Sequence, residues 1–317
     1  MSSPTQLLKQ YFGYDSFRPA QAEVIEHIQA GHHAMVVMPT GMGKSLCYQI
    51  PALASDPAEA ELVLVLSPLI ALMHDQVASL NRRGIDAAYI NSSLDRQTRN
   101  QRYAEVGKGR YRLLYVTPER FRKEEFREVI GKRVLSLLAV DEAHCVSEWG
   151  HDFRPDYTRL QSIRNELGNP TTIALTATAT AECREDIYRQ LGIDRNDIRL
   201  FHQGIDRPNL KVDVRTVIDE SEKLDVLAES LKEPDYLSGS VIVYFSLIKT
   251  LQRFSDHLLR RGIDHVNYHG DLPRDHRRRV QIRFMTGQAD LVLATPAFGM
   301  GIDKEDIRMV IHAETPG

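Results

Sequence analysis

Tryptophan is nearly absent from this 317-residue chain: the single one, Trp149, stands in the polar stretch "DEAHCVSEWGHDF" rather than among apolar neighbours. Cysteine is almost as scarce. Cys47, Cys145 and Cys183 show no paired spacing, so the sequence offers no disulfide framework and no zinc site of its own, and the three read as packing thiols. No run of about eighteen apolar residues occurs, and the start "MSSPTQLLKQYFGYD" lacks the basic-then-apolar order of a secretory signal. The expectation is a cytoplasmic chain with no membrane contact. Neither sign of charge dominates: 40 basic against 43 acidic residues leave a formal net charge of −3, which argues against a global basic footprint and leaves a local basic groove open. With 42% hydrophobic residues, the length suffices for two cores.

What is present is periodic. Short apolar runs, "AMVVMP", "ELVLVLSP", "RLLYVTP", "VLSLLAVDE" and "TTIALTAT", have the look of buried parallel strands. Between them "SPLIALMHDQVASLNRRG" and "TATAECREDIYRQLG" carry helical spacing and close on a glycine. This alternation predicts a doubly wound α/β sheet. "FHQGIDRPNLKVDVRTV" breaks the rhythm, which restarts with "SVIVYFS", "IDHVNYHG" and "ADLVLATP"; the expected boundary lies near residue 205, giving domains 1–204 and 205–317.

The strongest chemistry lies in "VVMPTGMGKSLCYQIP". A strand ends at Met38, a glycine turn follows, and Lys44 and Ser45 open a helix whose amides face the turn, an arrangement that cradles anions. Thr40, Gly41, Met42 and Gly43 form the cradle, Lys44 supplies charge to β and γ phosphates, and the Ser45 hydroxyl can ligate magnesium. The strict pattern wants glycine where Met38 stands, so the match is to a looser variant. "VLSLLAVDEAH" delivers Asp141 and Glu142 at a strand exit, where open α/β sheets bind ligands. Asp141 can hold magnesium through water, and Glu142 can orient and deprotonate an attacking water. Taken alone, each segment also fits a plain reading as a glycine turn or an acidic helix cap.

Together "PTGMGKS", "DEAH" and "TATAT" resemble the superfamily two helicases, and "FGYDSFRPAQAEVI" narrows the resemblance to the RecQ family of DNA helicases. "LSPLIALMHDQV", "YVTPER", "VIVYFS", "YHGDL" and "LATPAFGMGIDK" follow in family order. The resemblance implies two RecA-like doubly wound parallel-sheet domains in tandem, the second incomplete, using ATP and Mg2+ on single-stranded DNA and duplex/single-strand junctions. It implies adenine stacking by Tyr14, nucleotide contacts from Arg18 and Gln21, a relay at His144, and nucleotide-edge contacts from Gly301 and Asp303. DNA contact and coupling fall to Ser67, Pro68, Thr117, Pro118, Trp149, Phe153, Arg154, Thr176, Thr178, Ser246, His269, Thr295 and Gly299. Trp149 then has a reason to sit among polar residues, because an indole stacks on a nucleobase for about 1–3 kcal/mol. The arginines of "YHGDLPRDHRRRVQIRF" read as a solvated helix face.

Members of the family continue into an arginine-rich motif, a four-cysteine zinc module, a winged helix and a small helical domain. The sequence stops at Gly317 before any of these, so slow hydrolysis and weak DNA binding are expected of it. A monomeric motor core is the leading reading. A DNA-recognition module without hydrolysis and an RNA-directed helicase remain as alternatives.

Overall fold

In the computed structural model the described residues are 3–54, 61–147, 155–204, 210–232, 239–298, 302, 304 and 306–314. The chain divides into two units, Met1–Pro208 and Asn209–Gly317.

The first unit carries helices α1 (Pro4–Leu7), α2 (Gln21–Gln29), α3 (Leu46–Ala54), α4 (Ile70–Arg82), α5 (Arg96–Gly107), α6 (Glu124–Ile130), α7 (Leu160–Glu166) and α8 (Ala181–Leu191). Its strands are β1 (His33–Val37), β2 (Leu62–Leu66), β3 (Ala87–Ile90), β4 (Leu113–Val116), β5 (Leu135–Val140), β6 (Thr172–Thr176) and β7 (Ile198–His202). They form one sheet in the order β3-β4-β2-β5-β6-β1-β7, every pair parallel. Because side chains alternate across a strand, the apolar runs feed two cores. Ala34, Val36, Val63 and Val65 pack against α1 to α4, while Met35, Val37, Leu64 and Leu66 pack against α5 to α8. The sheet is therefore covered on both faces.

The second unit repeats the plan on a smaller scale. Helices α9 (Glu220–Ser230), α10 (Ile248–Arg260) and α11 (Arg274–Met285) flank strands β8 (Ser240–Tyr244), β9 (Val266–Tyr268), β10 (Leu291–Ala294) and β11 (Ile307–His312), in the parallel order β11-β8-β10-β9. One face packs Leu227, Leu251, Phe254 and Leu258, and the other packs Val280 and Phe284. Of the α11 arginines, Arg274, Arg278, Arg279 and Arg283 are exposed, whereas Arg277 is half-buried.

Every run read as a strand is one. Three strands lay outside those runs: β3 is the four residues "AAYI", while β7 ("IRLFH") and β11 ("IRMVIH") are only partly buried at sheet edges. Among the described residues no helix is long and apolar enough to cross a membrane.

Candidate active site

Where β1 ends, the chain turns through Pro39 to Ser45 before α3 begins at Leu46, two residues later than the sequence suggests. A loop that turns its amides inward toward an anion must find other partners for its carbonyls. Those partners come from the segment before α2. The Gln21 amide, almost fully buried, donates to the carbonyls of Met42 (3.0 Å) and Gly43 (3.0 Å), while its oxygen accepts the Arg18 N–H (2.8 Å). The Arg18 guanidinium donates to the Gly41 carbonyl. The residues assigned by resemblance to nucleotide contact thus shape the phosphate loop itself. Gly43 is required here twice over: its φ of +76° lies in the left-handed region, and a Cβ would come within 2.5 Å of the Gln21 amide nitrogen. Lys44 Nζ donates to the Met38 carbonyl (3.1 Å). Thr40 is exposed, Met42 and Ser45 are half-buried, and Tyr14 is 55% exposed just past the left-handed Gly13.

The acids stand at the exit of β5. Asp141 donates its amide to the Leu66 carbonyl (2.8 Å) and its side chain is buried, with Oδ1 accepting the Glu142 N–H (3.0 Å). Burial pushes the Asp141 carboxyl up to about 7; the Glu142 charge adds to this, and the accepted N–H and the Lys44 charge oppose it. Glu142 itself holds φ 48° and ψ 47°, a left-handed conformation that costs a non-glycine residue roughly 1–2 kcal/mol. Strain of this kind gathers where a side chain must be aimed. His144 Nδ1 lies 3.0 Å from Thr176 Oγ1 and 3.3 Å from Glu142 Oε2. Since the Thr176 hydroxyl donates to the Thr178 carbonyl (2.9 Å), it accepts from His144, which places the ring proton on Nδ1.

Among the described residues no group of three or more His, Cys, Asp or Glu is arranged to hold a metal. A magnesium ion needs no such group, because it takes one or two protein ligands and completes its shell with phosphate and water. Ser45 and Asp141 fit that requirement: burial and the neighbouring Glu142 charge both disfavour the ionised Asp141 carboxyl, and a divalent cation beside it would relieve that.

The remaining candidates of the first unit continue along the same carboxyl edge. Ser67 follows β2, its amide bonded to the Val116 carbonyl (3.1 Å) and its buried hydroxyl without a hydrogen-bond partner among the described residues. Pro68 comes next, and Thr117 and Pro118 follow β4, both buried. In the second unit Ser246, His269 and Thr295 stand just past β8, β9 and β10; the Ser246 amide donates to Glu314 Oε2 (2.7 Å), and His269 Nδ1 is buried without a partner among the described residues. Trp149, Phe153, Arg154, Gly299, Gly301 and Asp303 lie outside the described residues.

One participant carried no signal in the sequence. Gln49, buried in α3, donates to Gln76 Oε1 (2.9 Å) on α4 and to the Tyr115 hydroxyl (3.3 Å) on β4, fastening the helix behind the phosphate loop to the helix behind Ser67. A glutamine inside "SLCYQIPAL" reads as an interruption of an apolar run, not as a bridge.

Strand order decides what these pieces do together. β6 lies between β1 and β5, so the phosphate loop, Thr176 and the acids emerge from three neighbouring strands, and Ser67 and Thr117 emerge from the next two. The family model for DEAD/DEAH box helicases matches residues 18–186, and that for the helicase conserved C-terminal domain matches 222–317. The chain belongs to the DEAD/DEAH box helicases. Its resemblance to RecQ sequences extends over almost its whole length. It is 41% identical to the ATP-dependent DNA helicase RecQ of Bacillus subtilis over 98% of this chain and 51% of that protein. It is 39% identical to the probable ATP-dependent DNA helicase RecS of the same organism, over 100% of this chain and 62% of that one. The chain thus spans about half to three fifths of the curated relatives it matches. The solved structure of Dbp5 from S. cerevisiae superposes with a TM-score of 0.74 at 17% identity, covering 100% of this chain and 78% of that one, which places this helicase in the tandem RecA-like fold.

Proposed function

We propose that this chain is the motor core of an ATP-dependent DNA helicase, coupling hydrolysis to 3′ to 5′ movement on single-stranded DNA and to duplex unwinding in repair or recombination. The observation that carries the reading is the convergence of phosphate loop, Thr176 and acid pair on three adjacent strands, with Ser67 and Thr117 further along the same edge. DNA rather than RNA is favoured by the RecQ relatives, whose names specify DNA. The RecQ resemblance also supports a monomer acting off the membrane, at the nucleoid in a bacterium, with residues 1–204 binding ATP and 205–317 supplying the second motor domain.

The chain's own groups supply the steps. Amides of the loop and the Lys44 ammonium hold the β and γ phosphates. Ser45 and Asp141 would hold the magnesium that accompanies the nucleotide, which would supply charge neutralisation for the transferring γ-phosphoryl group. Glu142 orients a water against the γ phosphorus and takes its proton as the bond to the β-phosphate oxygen breaks, leaving ADP and phosphate. His144, bonded through Nδ1, links that carboxylate to Thr176. Trp149 and Phe153 stack on bases and report DNA to the acids.

The test is phosphate release with single-stranded DNA, with RNA of the same sequence, and without nucleic acid, alongside calorimetric ATP binding by wild type and Lys44→Ala. Stimulation by DNA alone, and binding that collapses in Lys44→Ala, are expected. Equal ATP affinity in the two proteins would remove Lys44 from the site, and preferential stimulation by RNA would overturn the choice of substrate.

A further inference from the structure

The acids continue directly into a single 3₁₀ turn, Ala143–Val146, too short to hold its own position. It is fastened at both ends. At its start His144 bonds to Thr176, the last residue of β6, and just past its end the fully buried Ser147 donates its hydroxyl to Asp186 Oδ2 on α8 (2.8 Å). The other oxygen of Asp186 meets Arg189 (3.0 Å), whose side chain is 72% exposed.

Both anchors belong to one continuous piece of chain. β6 ends at Thr176, and α8 begins five residues later behind Thr180, whose hydroxyl caps the helix by accepting the Cys183 N–H (3.2 Å). Any shift of this strand-turn-helix piece therefore pulls on both ends of the acidic turn at once. The Ser147 bond is the stiffer of the two attachments by chemistry, because a fully buried hydroxyl donates at 2.8 Å to a carboxylate oxygen, a strong and directional bond.

We propose that Asp186 is a positioning residue that clasps the acidic turn to α8, so that a change at the nucleotide is carried to the backbone at Ser147, two residues before Trp149. The proposal rests on nucleotide binding at the phosphate loop and names the contact through which that site reaches the chain beyond the acids. Asp186 itself touches neither nucleotide nor metal. It acts through Ser147.

Trp149 is the sole tryptophan, so emission from the 317-residue chain reads one place. The experiment titrates a magnesium complex of non-hydrolysable ATP analogue into wild type, Asp186→Ala, Ser147→Ala and Asp186→Asn, following emission and, separately, calorimetric affinity. Wild type is expected to change emission with the midpoint found by calorimetry. Asp186→Ala and Ser147→Ala should keep the affinity and lose the emission change, while Asp186→Asn, whose amide oxygen still accepts from Ser147, should retain it. Should Asp186→Ala fail to fold, Ser147→Ala removes the same bond without disturbing Arg189 and carries the test. A wild-type emission change in the alanine variants overturns the clasp, as does a complete loss in Asp186→Asn or an unresponsive wild type at saturation. Absence of any calorimetric binding by wild type would instead remove the nucleotide site beneath it.

Discussion

Two residues of the acid pair are held in states an isolated peptide would not choose, and each makes a measurable prediction. Glu142 sits in the left-handed region, where glycine is at ease and alanine is not. Glu142→Gly should therefore be more stable than Glu142→Ala by about 1 kcal/mol, the reverse of the usual order in regular structure, while neither hydrolyses ATP. Chemical denaturation of the two variants checks this, and alanine as the more stable of the pair would show that Glu142 bears no strain. Asp141 is the second case. Its carboxyl titrates at about 7 when folded, against about 4 in an unfolded chain, so between these values the folded state binds the extra proton and stability falls as pH rises. Above the folded value the penalty is complete, of the order of 4 kcal/mol at most. In nucleotide-free and magnesium-free buffer, Asp141→Asn should raise the unfolding midpoint at alkaline pH and leave it unchanged near the unfolded pKa. A midpoint difference independent of pH would assign the stabilisation to something other than ionisation.

At the level of elements, legibility followed burial. The strands that lead to the candidate site, β1, β5 and β6, are buried along most of their length and appear in the sequence as largely hydrophobic runs. β7 and β11 occupy sheet edges, where fewer side chains need be apolar, and gave no such run; β3, at the other edge of the first sheet, is largely buried but only four residues long. The phosphate loop was equally plain, because glycines and a lysine between strand and helix have few other uses. Its support was not: the bonds from Gln21 to two loop carbonyls join residues more than twenty positions apart, and no local spacing encodes that. The same holds for Ser147 and Asp186, separated by 39 positions. A prediction separates the two demands on Gly43. Gly43→Ala should weaken nucleotide binding both by forcing a left-handed alanine and by striking the Gln21 amide. Adding Gln21→Ala removes the collision and leaves the backbone strain, so the double variant should recover part of the stability lost by Gly43→Ala. Calorimetric unfolding of the single and double variants measures it, and strictly additive losses would mean that the close approach to Gln21 costs nothing.

For the whole molecule, the division of labour between units follows from where the contacts lie. Each of the bonds that shape the phosphate loop, aim Glu142 and hold His144 joins residues of Met1–Pro208. The two core clusters that support them lie within the same unit, one on each face of a seven-stranded sheet. The carboxyl ends of β8, β9 and β10 present Ser246, His269 and Thr295 on a separate sheet, which the proposed motor would use together with the first. Residues 1–208 alone should therefore fold and bind ADP within about threefold of the 317-residue chain, a difference of well under 1 kcal/mol. If the proposed motor reading holds, stimulation of phosphate release by single-stranded DNA should be lost. Calorimetry with ADP and steady-state phosphate release with and without DNA compare the two proteins directly. Equal DNA stimulation in residues 1–208 would mean that the acids respond to DNA bound along the first sheet alone, and the second unit would then serve movement along the strand but not the triggering of hydrolysis.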